Sequence, residues 1–401
     1  MKLKLVKFIS SVHDEKKVVE SEKDIENLLK SKYSFTESNL DKFLTISWIM
    51  TGGTERSFKE SYEKGEITKP AILLASDLNN SLAASLEIIS FIRSKGEEAY
   101  LIHGNEKNIE ESIDKFIHFE DTVQTLKNSK IASIGKPSDW LIASNVNYEE
   151  THSKWGTLFL NISLEELYQS IDALKEVKYD GYFDKATSVV EPSKEDILGA
   201  HKIYLGLKDI VNKYNLNAFT LRCFDLLSRY KNTGCLALSR FNDIGITAGC
   251  EGDMPSAFTM YLVQVLTGQK SFMSNPSKID LNSNNVIFAH CTVATSMTES
   301  YVLRSHFESG IGVGISGHIP EGNVTVLKIG GESLDKYFVS EGTILNNLHS
   351  EDRCRTQIDV QMDKESITYL LSKPLGNHHI IVKGNYKNMI EEFITYSNAK
   401  S

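Results

Sequence analysis

Two carboxylates, Glu251 and Asp253, lie where a run typical of a β-strand gives way to a run typical of a helix. The strand-like run is Ile244–Cys250, and the helix-like run is Ala257–Leu266. The end of a strand that leads into a helix is where open α/β sheets usually bind ligands. An Asp at the start of a helix is also a common N-cap. The position of Asp253 therefore allows two interpretations, a site carboxylate or a helix cap.

An aspartate and a histidine pair elsewhere in the chain extend this pattern. Asp225 follows the strand-like run Ala218–Cys223, so it is expected at the same sheet edge as Asp253. His378 and His379 precede an apolar strand, and adjacent strand side chains point to opposite faces, so one of the two is expected to reach a given site. Two carboxylates and an imidazole suit Mn²⁺, Mg²⁺ or Co²⁺. Taken singly, a strand-end Asp is more often a turn or cap residue.

Further polar side chains are concentrated in the C-terminal half. His290, His306 and Arg355 are each flanked by Cys, Ser or other charged residues. Each could be a structural hydrogen-bonding group, and together they predict the lining of a polar cavity. The glycine pair in Thr51-Gly-Gly-Thr-Glu does not fit the dinucleotide-binding pattern and favours a simple turn over an anion or sugar loop.

Composition excludes several classes of protein. The chain has 401 residues and a formal net charge of −9, which disfavours nucleic-acid binding. No apolar run approaches the ~20 residues of a membrane span, and the N-terminal alternation of Lys with apolar residues predicts a strand instead of a secretory signal. The five cysteines include no C-x-x-C pair. An odd number without that spacing argues against a disulfide framework and a structural zinc site, and predicts reduced thiols in a cytoplasmic protein.

Alternating strand-like and helix-like runs organise the first two thirds of the chain. They predict βαβ units and therefore an α/β fold with two doubly wound parallel sheets. After residue 285, short strands separated by Gly, Pro and Asn turns predict a β-rich, barrel-like third domain. The expected division is 1–155 and 156–285 for the two α/β domains and 286–401 for the β-rich domain.

Several separated segments resemble, in the same order, the L-fucose/L-arabinose isomerase superfamily, and in particular its shorter fucose-isomerase-like members. The resemblance rests on Arg222-Cys-Phe-Asp, Leu238-Ser-Arg-Phe-Asn-Asp-Ile-Gly-Ile, Cys250-Glu-Gly-Asp-Met-Pro-Ser-Ala, Leu266-Thr-Gly, Ala289-His-Cys and Gly376-Asn-His. The resemblance is good over roughly residues 215–400. The N-terminal half agrees in its α/β texture, in Thr51-Gly-Gly-Thr-Glu and in the Pro137-Ser-Asp-Trp segment.

The resemblance implies two α/β domains, a barrel-like C-terminal domain and a homo-oligomer, a trimer or hexamer, with sites near subunit contacts. It also implies an Mn²⁺-type ion held by a Glu, an Asp and a His. Asp253 matches the Asp ligand and His378 the His ligand. Where relatives usually carry the Glu, this chain has Asp225 followed by Leu226. Either Asp225 substitutes as ligand and acid/base, or the acid/base role has moved to Glu251.

The activity expected from these features is metal-dependent aldose–ketose isomerisation of an open-chain sugar through an ene-diolate. A pentose, a 6-deoxyhexose or a modified hexose would be the substrate. Asp225 or Glu251 would move the proton between C1 and C2, with Asp253 in the catalytic group. Arg222, His290, His306 and Arg355 would position sugar hydroxyls. The alternatives are a sugar-binding relative that has lost the reaction, and an epimerase or lyase on the same scaffold.

Overall fold

Two parallel β-sheets and one closed barrel are the main elements of this computed structural model, which describes residues 2–36 and 43–400. The chain divides into two compact units. The first comprises Met1–Gln124 with Glu392–Ser401, and the second comprises Thr125–Glu391.

The first unit contains a four-stranded parallel sheet in the order β1-β2-β3-β4. Every residue of β3 is buried, as expected for a strand covered by helices on both faces. The segment Thr51–Thr54 forms the turn between β2 and α3, in which the Thr54 hydroxyl donates to the Thr51 carbonyl. The elements are β1 (Lys2–Phe8), α1 (Glu15–Ser21), α2 (Lys23–Lys32), β2 (Phe43–Ile49), α3 (Glu55–Glu63), β3 (Ala71–Ala75), α4 (Ser81–Ser94), β4 (Ala99–Ile102) and α5 (Glu106–Lys127).

The second unit begins with another four-stranded parallel sheet, in the order β6-β5-β8-β9. Strand order reverses between β5 and β8, and such a switch point opens a crevice at the carboxyl ends of the strands. The elements are β5 (Lys130–Ile134), α6 (Tyr148–Trp155), β6 (Leu158–Ile162), α7 (Leu164–Asp172), β7 (Ser188–Val189), α8 (Lys194–Tyr214), β8 (Ala218–Leu221), α9 (Asp225–Tyr230), α10 (Cys235–Asp243), β9 (Thr247–Cys250) and α11 (Met254–Thr267).

A closed six-stranded antiparallel barrel occupies the C-terminal part of the second unit, in the order β10-β11-β16-β15-β14-β17. Its core contains Phe272, Phe288, Val326, Ile358 and Ile381. The strands β13, β12 and β7 form a separate small sheet. The elements are β10 (Ser271–Asp280), β11 (Asn285–His290), β12 (Ser300–Arg304), β13 (Gly314–His318), β14 (Gly322–Gly330), β15 (Lys336–Leu348), β16 (Thr356–Met362), α12 (Lys364–Ser372) and β17 (His379–Lys383). The last helix, α13 (Lys387–Asn398), belongs to the first unit from Glu392 onward.

The predicted fold class is confirmed, with parallel sheets in the N-terminal part and a barrel in the C-terminal part. The division at residues 155 and 285 stays a prediction. No helix in the described part of the chain combines the length and the apolar character that a membrane span requires.

Candidate functional site

The turn between β9 and α11 places two carboxylates at the carboxyl edge of the second sheet. Glu251 and Gly252 both have left-handed backbone conformations, with φ of +63° and +74°. A Cβ on residue 252 would lie 2.7 Å from the carbonyl oxygen of Lys136, so glycine is required there. The Ser138 amide donates to the Glu251 carbonyl at 2.9 Å. The turn is therefore packed directly beneath the loop that follows β5.

Asp253 is a fully buried N-cap that also contacts a histidine. Its Oδ1 accepts from the Ser256 amide at 2.9 Å, and its Oδ2 accepts from the Ser256 hydroxyl at 2.8 Å. The same Oδ2 lies 2.8 Å from His378 Nδ1. Asp253 therefore caps α11, and the same side chain also orients the His378 ring.

Lys328, in the middle of β14, is the second partner of Asp253 and is also fully buried. Its Nζ lies 3.4 Å from Asp253 Oδ2 and donates to Ser256 Oγ at 2.7 Å. Burial lowers the pKa of Lys328, and the charge of Asp253 opposes that effect. Burial raises the pKa of Asp253, but Lys328 and His378 outweigh this and hold the pKa well below its ordinary value. The carboxylate is therefore ionised and paired inside the protein.

His378 directs its second ring nitrogen towards Glu251. The His378 side chain is fully buried, and its Nε2 has no hydrogen-bond partner among the described residues. This atom lies 3.4 Å from Glu251 Oε1. Burial lowers the pKa of His378, but the bond to Asp253 and the neighbouring Glu251 carboxylate raise it to about 9. A buried nitrogen without a hydrogen-bond partner is uncommon, and an ion is one of its recognised explanations.

His290, the last residue of β11, approaches the same carboxylate oxygen. Its Nε2 lies 3.6 Å from Glu251 Oε1, and its Nδ1 lies 3.1 Å from the Thr292 hydroxyl. The His290 and His378 ring centroids are 5.4 Å apart. Burial lowers the pKa of His290 and favours its neutral form, the form that binds metals.

Glu251, His290 and His378 form a cluster that fits a divalent ion. Within residues 2–36 and 43–400, this is the group of His, Cys, Asp and Glu side chains whose ligand atoms all lie within 4.8 Å of one another. A carboxylate and two imidazoles are a common ligand set of catalytic metal sites. The pKa of Glu251 is raised by burial but lowered further by the two histidines, so this carboxylate is ionised. The donor set and the unpartnered Nε2 both suit an ion at this place.

Trp140, in the loop after β5, contacts the cluster from the outside. Its Nε1 donates to Glu251 Oε2 at 2.6 Å, while the residue as a whole is 51% exposed. Its ring packs edge-on against Phe224, and Phe224 packs edge-on against His306. Three aromatic rings therefore form a continuous wall that begins at the cluster.

Arg222 and Asp225 lie in a neighbouring cavity of ≈ 920 Å³. Arg222 Nε donates to both oxygens of Asp225 at 3.1 Å, and its terminal nitrogens donate to the Pro137 carbonyl and to Asp139. Gly252 lines this cavity, but the three cluster residues do not. Other polar groups on its wall are Lys136, Ser144, Asn145, Tyr148, Asn161 and Ser163. The cavity adjoins the cluster and offers hydroxyl-binding groups.

His306 and Arg355 are buried, and the structure gives them partners within the protein. His306 Nδ1 lies 3.1 Å from the Ser309 hydroxyl, and burial lowers the pKa of His306 to about 4. Arg355 donates to the Ser305 carbonyl, the Ser305 hydroxyl and Glu351. His306 belongs to the aromatic wall, whereas the contacts of Arg355 hold the segment after β12.

The cysteines are free, as expected from their number and spacing. Cys223, Cys235, Cys250 and Cys291 are buried. Cys223 Sγ and Cys250 Sγ lie 3.0 Å apart, next to the strand ends that carry Arg222 and Glu251. These thiols therefore pack directly behind the site.

The ligand set expected from the sequence was Asp225, Asp253 and His378, and the structure brings together a different set. His378 lies in the cluster, and Asp253 contacts it at 2.8 Å from behind. Asp225 is not in the cluster, and both its oxygens instead accept from Arg222 Nε. Glu251 and His290 take the remaining places.

Two residues of this site were absent from the predicted set. Trp140 belongs to the Pro137-Ser-Asp-Trp segment that contributed to the family resemblance, which was a usable signal. Lys328 interrupts the apolar run Val324–Ile329, and a lysine at that place signals a buried partner. Neither signal names the partner residue.

The chain is similar in sequence to proteins named sulfoquinovose isomerase. It is 23% identical over 262 residues to those of Priestia aryabhattai and Priestia megaterium, which covers 62% of this chain and 58% of each relative. It is 24% identical over 231 residues to that of a Clostridium species, covering 55% of this chain and 52% of the relative. The chain thus spans less than two thirds of the length of these relatives. No protein-family profile matches the chain. Its similarity is to sugar isomerases.

Proposed function

We propose that this protein is a divalent-metal-dependent isomerase that interconverts the aldose and ketose forms of an open-chain sugar. A sulfonated hexose of the sulfoquinovose type is the proposed substrate, because the relatives carry that name. The observation that carries the proposal is the buried Glu251, His290 and His378 cluster beside a polar cavity at a sheet switch point. We propose Mn²⁺ as the ion, with Co²⁺ and Mg²⁺ as alternatives.

The residues of the chain divide the work in this proposal. Glu251, His290 and His378 hold the ion, and Asp253 fixes the tautomer and angle of His378 through Nδ1. When bound, the ion supplies Lewis-acid polarisation of a sugar carbonyl. Hydroxyl groups of the substrate are held in the cavity by Arg222 and its polar neighbours.

Glu251 and Asp225 are the two carboxylates that we consider for proton transfer between C1 and C2. Glu251 lies in the cluster, and its Oε2 is held by Trp140. Asp225 faces the cavity, with Arg222 beside it and a side chain that is 39% exposed. We propose Asp225 as the proton-transferring group, because Glu251 is committed to the ion and to the indole. Asp225→Asn would then abolish turnover and leave ion binding unchanged, whereas Glu251→Gln would weaken ion binding itself.

The test is turnover in D₂O with Mn²⁺, followed by NMR. An isomerase exchanges one carbon-bound hydrogen and yields the ketose, whereas a lyase gives shorter fragments. His290→Asn is expected to abolish both ion binding and turnover, while His318→Asn, at a half-exposed position on β13, is the matched control and leaves both unchanged. Absence of ion binding and of turnover on pentoses, 6-deoxyhexoses and sulfonated hexoses would overturn the proposal.

A second candidate function is sugar binding without turnover. It is favoured by Asp225, which stands where the family resemblance implies a Glu, and by the pairing of Asp225 with Arg222. Ligand-induced stabilisation without hydrogen exchange at C2 would select it.

We further propose a cytoplasmic homo-oligomer, a trimer or hexamer, with sites near subunit contacts. Light scattering of the purified protein tests the assembly, and a monomer would overturn this part.

A further inference from the structure

Trp140 combines two features that rarely occur together, high exposure and a short bond to a buried carboxylate. The chain has three tryptophans, of which Trp48 and Trp155 are buried. Trp140 is 51% exposed, yet its Nε1 donates to Glu251 Oε2 at 2.6 Å. Glu251 itself is 7% exposed. The bond to a carboxylate is charge-assisted and therefore stronger than one between neutral groups.

Because of this bond, the two oxygens of Glu251 have different partners. Oε2 accepts from the indole, and Oε1 faces the imidazole nitrogens of His378 and His290 at 3.4 and 3.6 Å. Rotation of the carboxylate would exchange its oxygens or turn both away from the histidines. An indole has one donor and no acceptor, so it favours a single orientation.

The loop that carries Trp140 is fixed at several points, so the indole is not free to follow the carboxylate. The Ser138 amide donates to the Glu251 carbonyl at 2.9 Å, and Arg222 donates to the Pro137 carbonyl at 2.6 Å. Arg222 also donates to Asp139 through both terminal nitrogens, and Leu141 is buried. The fixed loop therefore determines where Glu251 can point.

We propose that Trp140 is a positioning residue that holds Glu251 in the orientation required for ion binding. The proposal rests on the proposed metal site but not on turnover. Its Nε1–H fixes Oε2 and leaves Oε1 for the ion, in the way that outer hydrogen bonds orient the ligands of other metal sites. Arg222 supports this role of Trp140, because it donates to the Pro137 carbonyl and to Asp139 in the same loop.

Metal affinity of three variants tests this role by titration calorimetry with Mn²⁺. Trp140→Phe keeps a ring against Phe224 and removes the donor, so the Mn²⁺ dissociation constant is expected to rise tenfold or more. Trp155→Phe is the matched control, because it removes an indole donor to the Leu334 carbonyl in a buried place outside the cluster. It is expected to lower stability and leave the dissociation constant unchanged. Trp140→Gln, which restores an N–H donor without the ring, is expected to recover part of the affinity.

A spectroscopic readout tests the bond itself without any metal. With ¹⁵N-labelled tryptophan, the three indole N–H signals can be assigned by single Trp→Phe variants. The Trp140 signal is expected to exchange slowly with water despite its exposure, and to move in Glu251→Gln while the Trp48 and Trp155 signals stay in place. Rapid exchange, or no response to Glu251→Gln, would overturn the proposal.

The outcomes separate this inference from the proposed function. Ion binding without sugar turnover, with a tenfold loss in Trp140→Phe, overturns the isomerase function and supports the inference. Sugar turnover by the wild-type protein, with an unchanged Mn²⁺ affinity in Trp140→Phe, supports the isomerase function and overturns the inference. A wild-type protein that binds no Mn²⁺, Co²⁺ or Mg²⁺ overturns both.

Discussion

The buried pair of Lys328 and Asp253 allows a quantitative prediction about stability. The two charged atoms are 3.4 Å apart, with side-chain exposures of 1% and 0%. At an effective dielectric constant of about 20, two unit charges at this distance attract by about 5 kcal/mol. Desolvation offsets much of that attraction, so the intact pair contributes little net stability. Removal of Asp253 leaves the buried Lys328 ammonium without a carboxylate, which costs about 3–5 kcal/mol, whereas removal of Lys328 leaves Asp253 paired with His378.

We expect Asp253→Asn to lower the opening free energy of α11 by about 3–5 kcal/mol without metal. Lys328→Met is expected to lower it by less, because Asp253 keeps His378 and Ser256 as partners. Asparagine can still cap α11, so the free energy lost in Asp253→Asn comes mainly from the buried Lys328 charge that has lost its carboxylate partner. The double variant strands neither charge, so its loss is expected to fall short of the sum by at least about 2 kcal/mol.

Denaturant-dependent hydrogen exchange of the α11 amides, with chelator present, measures these free energies. The exposed pair of Lys213 and Glu166, 2.6 Å apart, is the control, and its coupling measured at α8 is expected below about 1 kcal/mol. A coupling between Lys328 and Asp253 no larger than that of the control would refute the electrostatic reasoning.

Three further predictions concern the ion, the turn and acid sensitivity. Mn²⁺ at 100 times its dissociation constant is expected to stabilise the protein by about 2.7 kcal/mol in thermal unfolding, and His290→Asn to remove the effect; equal stabilisation of both proteins would contradict the ligand assignment. Gly252→Ala is expected to cost more than Gly310→Ala in urea unfolding, because both have positive φ but a Cβ at 252 meets the Lys136 carbonyl at 2.7 Å and a Cβ at 310 meets nothing within 4 Å; equal losses would mean that the loop yields. Bonds from Arg304 lower the pKa of Glu191 to about 2, so its stabilisation is present above pH ~4.5 and is lost as pH falls towards 2. Because the Glu191 side chain is 35% exposed, the loss is expected to be about 1 kcal/mol. Glu191→Gln is expected to remove this fall in stability at low pH, whereas the control Glu321→Gln, at an exposed position directly before β14, is not.

Local pattern was sufficient to predict the fold class. The continuous apolar runs at Phe43–Ile49 and Ala71–Ala75 are buried parallel strands, and five of the strands from residue 285 onward close into a barrel with β10. The predicted change from strand to helix at Glu251 and Asp253 is also present, because β9 ends at Cys250 and α11 begins at Met254. Periodicity acts over a few residues, so a single sequence contains this information.

The partners of the site residues were decided by packing between distant segments. Asp253 meets His378 across 125 positions of the chain, Trp140 meets Glu251 across 111, and Lys328 meets Asp253 across 75. Residue type and spacing could not distinguish Asp225 from Glu251 as the cluster carboxylate, because both follow strands of the same sheet. In the structure, Glu251 lies in the cluster on a left-handed turn with Gly252, and Lys328 of the barrel pairs with Asp253. The sequence by itself determined which side chains are available for chemistry and which elements hold them. The tertiary structure alone decided which of these side chains meet in one site, because that depends on directions and distances that local pattern does not encode.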